Sequence, residues 1–191
     1  MEPAAFVSAL RERCAKDDGA TQQLSPVDVF DGSPSPLGVG APPIFISYMR
    51  EDAEAARRLQ SAITRLGGNA WLDTRRLEAG DDWETEILTA IGETVRLFVP
   101  VISANTERER EGYVFREWAE ANGRAPRISS GHFIVPVIVD DDCDGDLSRY
   151  PKGRKYFGRL NFGSAPKGEP DAALTAMLTD EIDALSPRGA A

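Results

Sequence analysis

Ile44-Phe45-Ile46-Ser47-Tyr48-Met49-Arg50-Glu51-Asp52 follows Pro42-Pro43 and is the first place in the chain where apolar residues run together and then break into charge. Three consecutive apolar residues read as a short strand buried on both faces, since a strand covered by helices has no wet side to alternate with. From Ala53 to Leu66 the pattern turns helical, with Ala55, Ala56, Leu59, Ile63 and Leu66 on one side. A buried strand feeding directly into a helix opens a doubly wound α/β domain. Ligands bind such folds beyond the carboxyl ends of the strands, which is where Ser47, Tyr48 and Arg50 fall.

The same alternation continues outward. Gly67-Gly68 ends the first helix and Asn69 to Asp73 reads as a second strand. A polar loop, Thr74 to Asp82, leads into a helix that starts near Trp83, turns Ile87, Leu88 and Ile91 inward, and ends near Gly92. Val95 to Ser103 is the longest apolar run and reads as a central strand, with Pro100 expected at its end or at a bulge. Ala104 to Gly112 reads as a loop, Tyr113 to Asn122 as a helix, and Phe133 to Val139 as another buried strand. Asp140 to Asp146 is an acidic loop, Tyr156 to Phe162 is expected to be a fifth, edge strand, and Asp171 to Leu185 closes the domain as an amphipathic helix. Strands alternating with helices at this spacing predict a parallel sheet with helices on both sides.

Ahead of this unit, Phe6 to Lys16 has the spacing of a short helix, and Asp17 to Ala41 shifts to Asp, Gly, Ser, Pro and Gln. Residues 1–41 therefore read as a helix plus a linker or disordered arm, residues 42–186 as the domain, and 187–191 as a tail. An arm of this kind is expected in a piece of a larger, multidomain polypeptide. The net charge of -9 argues against nonspecific binding to nucleic acid or anionic membrane. Cys14 and Cys143 lie in dissimilar contexts and form no disulfide framework. With no long apolar run and no secretory start, the expectation is a soluble, cytoplasmic protein.

The most pointed constellation is Tyr113-Val114-Phe115-Arg116-Glu117-Trp118. On a helix Tyr113 and Glu117 stand one turn apart on the same side, which sets a ring beside a carboxylate. That pairing suits the stabilisation of an oxocarbenium-like centre or the holding of ribose hydroxyls. From spacing alone an ordinary surface glutamate is the commoner explanation. The acidic loop resembles the start of a calcium loop, but its twelfth position is Pro151 where a bidentate glutamate is needed. No glycine-rich phosphate loop occurs, and His132 has no neighbouring Cys or His, so no metal is expected. Trp71 and Trp83 flank the polar loop, as core anchors or as an aromatic rim around a pocket.

Taken in order, Ile44-Phe45-Ile46-Ser47-Tyr48, Trp71-Leu72-Asp73, Leu77-Glu78-Ala79-Gly80, Val99-Pro100-Val101-Ile102-Ser103 and Arg116-Glu117-Trp118 resemble a Toll/interleukin-1 receptor (TIR) domain over roughly Pro43 to Leu185. The resemblance implies a flavodoxin-like α/β fold, a doubly wound parallel five-stranded sheet with helices on both faces. It also makes Thr74 to Asp82 the family's BB loop. Many members cleave NAD+ to nicotinamide and ADP-ribose or a cyclic isomer; others are non-catalytic scaffolds. For a cleaving member the resemblance implies Glu117 as the catalytic residue, with Tyr113 standing where the family usually has Trp. Tyr48, Arg50, Ser103, Tyr113 and Trp83 would line the substrate pocket, and Asp73 with Leu77 to Gly80 would form its lip. NAD+ is then substrate, with no cofactor and no metal, and activity requires self-association through TIR–TIR contacts, with other domains or a sensor protein as further partners. Antiphage defence in bacteria is implied by analogy. A receiver-like phosphoacceptor is disfavoured, because Ser47-Tyr48 and Ser103 occupy the places of its acidic residues.

Overall fold

Ile44, Phe45 and Ile46 are fully buried and form β1 (Ile44–Ser47). The computed structural model describes residues 43–72, 81–129, 131–142 and 146–185, and of 81–83 only the backbone. The expected helix and linker over 1–41, the tail 187–191, most of the polar loop and Cys143 lie outside the described residues.

β1 is flanked by β2 (Ala70–Leu72) and β3 (Leu97–Ile102), followed outward by β4 (Val137–Ile138) and β5 (Gly163–Ser164), all parallel, in the order β2-β1-β3-β4-β5. Phe45 stands opposite Trp71 on one side and Phe98 on the other. This is the flavodoxin-like order, in which the direction of winding reverses between β1 and β3. The chain therefore has the expected flavodoxin-like α/β fold.

Alternate strand residues face opposite layers. Ile44, Ile46, Leu97, Val99 and Val137 meet α1 (Ala53–Arg65) and α6 (Ala172–Leu185) through Leu59, Ile63, Leu174, Leu178 and Ile182. Phe45, Phe98, Ile102 and Ile138 meet α2 (Asp81–Glu93), α4 (Tyr113–Arg124) and α5 (Pro151–Phe157) through Ile87, Ile91, Val114, Trp118 and Phe157. Complete burial of Leu59 or Ile63 contributes about 1.5–3 kcal/mol each by area, so truncating either to Ala would open a hole under α1. Phe45 stacks on Trp71 with ring centroids 4.2 Å apart, which makes Trp71 the core anchor of β2.

α4 is fastened to α2 at both ends. Arg116 pairs with Glu84, and Arg124 donates to the carbonyls of Ile91 (2.6 Å) and Glu93 (3.1 Å) at the end of α2. Those carbonyls have no partner within the helix, and a guanidinium there both bonds them and complements the helix dipole.

Four local expectations are corrected. Ala104–Arg108, read as loop, is a short helix, α3, because Ser103 caps it: Ser103 Oγ accepts from the N–H groups of Asn105 and Thr106, and Thr106 Oγ1 accepts from Ser103 N–H. Pro100 lies inside β3, neither at its end nor at a bulge; it is level with Ser47, the last rung shared with β1, and the β3–β4 ladder starts one residue later at Val101. Phe133 to Val139 is extended along β3, but its ladder is limited to Val137–Ile138 and a single bridge between Ile134 and Phe98, because Pro136 has no N–H to donate. Tyr156 to Phe162 is not the edge strand: Tyr156 and Phe157 end α5, and the edge is Gly163–Ser164. Glu107 of α3 accepts from the N–H groups of Lys152 and Gly153 at the start of α5, while Lys152 Nζ donates to carbonyls of Thr106, Glu107 and Glu109 at the end of α3. Each short helix thus supplies the other's missing terminal partner.

Candidate functional site

Among the described residues, the polar side chains buried at the carboxyl ends of the strands are Ser47, Asp52, Ser103, Thr106 and Glu117. They form two groups. In the first, Ser47 Oγ at the end of β1 donates to Glu117 Oε2 on the second turn of α4, at 2.5 Å. The two residues are 1% and 2% exposed, so this carboxylate faces the sheet and not bulk water. α4 can offer a buried acid because Val114, Trp118 and Ala121 carry its apolar side and bring Glu117 in with them.

In the second group Asp52, closing the turn after β1, accepts from Ser103 Oγ and Asn105 Nδ2, both at 2.6 Å. Burial pushes the Asp52 carboxyl above its usual range, the bonds from Ser103 and Asn105 oppose this, and the charges of Asp140 and Glu51 add to it. Asp140 in turn accepts from Ala104 N–H at 2.8 Å and from Tyr150 OH at 2.9 Å, which ties the end of β4 to the start of α3. Asp52 borders a hollow of about 540 Å³ that also meets Arg58, Asp140, Arg149 and Lys167. The acidic loop around it is partly neutralised by Asp141–Lys167 (2.8 Å) and Asp142–Arg149 (2.6 Å) ion pairs.

The residues nominated from the sequence are placed as follows. Glu117 lies at the carboxyl edge, bonded to Ser47. Tyr113, one turn earlier on α4, is 54% exposed, with the Arg116 guanidinium 5.8 Å from its ring centre. Ser103 is fully buried and bonded to Asp52, in the second group. Tyr48 is 7% exposed and packs in the core layer beneath α1 and α6, while Arg50 is exposed and opens the turn that ends at Asp52. Asp73, Leu77 and Gly80 lie outside the described residues, as does the side chain of Trp83. Asp52 and Asn105 carried no expectation; the signal for Asp52 was its place in Arg50-Glu51-Asp52, directly after the first strand. A hollow of about 1070 Å³ between the end of α4 and α5 contains none of the nominated residues. Its cations, Arg154, Lys155 and Arg159, are exposed, and its lining residues include no acid.

The TIR domain family matches residues 44–174, from the first residue of β1 into α6. The chain belongs to the TIR domain family. Among solved structures the TIR domain here is similar to the TIR domains of the activated Roq1 resistosome that directly recognizes the pathogen effector XopQ, at 18% identity and a TM-score of 0.42, covering 74% of this chain and 81% of that one. It is also similar to the flavodoxin-like domain of a Synechococcus sp. protein (13% identity, TM-score 0.38, 72% and 92% covered). A single-site mutant of flavodoxin from Pseudomonas aeruginosa matches at 16% identity and a TM-score of 0.41, with 73% and 97% covered. No curated protein matches the chain. Among the described residues no helix of this TIR domain is long and apolar enough to cross a membrane.

Proposed function

We propose that this TIR domain is an NAD+ glycohydrolase with Glu117 as its catalytic residue. The observation that carries the reading is a buried glutamate on α4, the second helix after β3, brought to the carboxyl end of β1 and bonded to Ser47. That is the edge at which doubly wound sheets bind ligands.

NAD+ is the substrate. Its nicotinamide ribose is held with the 2′- and 3′-hydroxyls against Glu117. The bond between C1′ and the nicotinamide nitrogen breaks with its electron pair leaving on nicotinamide, and the ribose becomes an oxocarbenium ion. A carboxylate in a site shielded from water stabilises that developing positive charge far more than one in bulk solvent. Water then adds to C1′ and loses a proton, giving ADP-ribose; capture by an adenine nitrogen gives a cyclic isomer. Tyr113 and Arg50 are exposed at this end of the fold and supply contacts to the base and phosphates. Self-association through the polar loop completes the site, a sensor domain or protein triggers it, and consumption of cytoplasmic NAD+ serves antiphage defence.

The second reading is a non-catalytic assembly module. It is favoured by Tyr113, which replaces the family's usual Trp and leaves a ring 54% exposed. Nicotinamide release from NAD+, measured on dilute and concentrated protein beside Glu117→Gln, separates the two. Release that rises with protein concentration and vanishes in the variant supports the enzyme. A folded Glu117→Gln protein of full activity, or no release from the wild type at any concentration, sinks it.

A further inference from the structure

We propose that the hollow of about 1070 Å³ between the end of α4 and α5 is a docking groove for an acidic, amphipathic segment of a partner protein, which sets apolar side chains on its floor and carboxylates against its rim. The proposal does not depend on the glycohydrolase reading.

The floor is apolar. Ile128, Tyr156 and Leu160 pack against the same core cluster as Trp118 and Phe157 but are only partly covered, and the buried Phe133 joins them. A concave apolar surface left half open gains free energy when a partner's apolar side chains replace water on it.

The rim is basic. Arg154, Lys155 and Arg159 are exposed, and none of them has an ion-pair partner among the described residues. Elsewhere cations are neutralised, as in Arg116–Glu84, Arg149–Asp142 and Lys167–Asp141. No acid lines the groove. At one end it meets His132, whose ring Nδ1 lies 2.6 Å from Glu181 and whose backbone N–H donates to the same carboxylate at 3.1 Å, so that neighbouring acid is already taken up. Lys155 Nζ is 5.6 Å from the centre of the Tyr156 ring, which puts a cation beside the apolar floor. In a chain of net charge -9 the groove is a local reversal of sign.

Charge complementarity selects the occupant. Arg154 and Lys155 are adjacent in α5, so their side chains leave the helix about 100° apart, and Arg159 follows after the helix has ended. Cations spread in this way suit several separate carboxylates better than the oxygens of one phosphate. At physiological ionic strength the screening length is about 8 Å. A short acidic segment lying in the groove therefore feels these three cations more than the charge of the whole domain. Nucleic acid, or a second copy with its own net charge of -9, brings negative charge against the rest of the surface as well.

The test selects short random peptides from a displayed library on the full chain, then measures the bound ones by fluorescence anisotropy. Enriched peptides are expected to combine apolar residues with two or more Asp or Glu, and to move the methyl NMR signals of Ile128 and Leu160. Arg154→Glu/Arg159→Glu should weaken them at least about tenfold, since it sets like charges against each other, and should leave Tm unchanged because both residues are exposed. Arg57→Glu, a reversal on the exposed side of α1, should leave binding unchanged. Raised salt should weaken binding to wild type and much less to the double variant. The proposal is overturned if no peptide is enriched, if the enriched peptides carry no acids, or if Arg154→Glu/Arg159→Glu binds them as wild type does. Displacement of the peptides by inorganic pyrophosphate at equal charge and similar concentration would make the groove a small-anion site. Self-association of the wild type that Arg154→Glu/Arg159→Glu abolishes would assign it to a second copy of the chain; either result also overturns the proposal.

Discussion

Ser103 Oγ donates to Asp52 Oδ2 at 2.6 Å while accepting from the backbone N–H groups of Asn105 at 3.0 Å and Thr106 at 3.3 Å. One hydroxyl therefore ends β3, starts α3 and holds the acid that follows β1. It joins the two strands between which the winding of the sheet reverses.

Ser103→Ala is expected to destabilise the domain by about 1–2 kcal/mol through loss of the helix cap, with a further cost because Asp52 loses a bond while staying buried. Urea denaturation should show a lower midpoint at unchanged slope, since the surface exposed on unfolding is the same. An unchanged midpoint would mean that Asp52 finds another donor and that the cap is dispensable.

Asp52 gives the domain a pH dependence of definite sign. Burial, with repulsion from Asp140 and Glu51, raises its folded-state pKa over the opposing bonds from Ser103 and Asn105. A raised folded value means the native state keeps its proton longer than the unfolded chain as pH rises. The resulting stabilisation is complete below the unfolded value and is lost as pH rises through the folded one. Asp52→Asn carries no charge to bury and should be at least as stable as wild type near about pH 7, with its advantage closing near about pH 4. Thermal melts of both proteins at the two pH values test this. A variant less stable than wild type at neutral pH would show that the bonds from Ser103 and Asn105 outweigh burial of the charge.

Tyr113 separates binding from folding. Its ring is 54% exposed, with the Arg116 guanidinium 5.8 Å from its centre, so Tyr113→Ala should change stability by no more than about 0.5 kcal/mol. If the ring supports substrate at the entrance to Glu117, KM for NAD+ rises in Tyr113→Ala and falls back in Tyr113→Trp. Kinetics identical across all three would remove Tyr113 from the site.

Local patterns carried much of this outcome. The apolar run Ile44-Phe45-Ile46 forms a buried strand because no polar alternation is possible between two helical layers. The spacing of Ala56, Leu59 and Ile63 was enough to aim α1 at the sheet, and the order of strands and helices was enough for the fold class. Local patterns failed wherever the decisive partner was distant in sequence. The stretch Pro151–Phe157 is a helix whose first N–H groups are taken by Glu107, and its aromatic residues read as a strand because that cap lies some 45 positions earlier. Glu117 offered the same ambiguity. As one acid on an amphipathic helix it is indistinguishable by spacing from a solvated one. Its burial follows from Val114 and Trp118 docking on the sheet, and the hydroxyl that donates to it belongs to a serine 70 residues away. Helical and strand periodicity are properties of neighbours along the chain, whereas the burial and pairing of a charge are properties of neighbours in space.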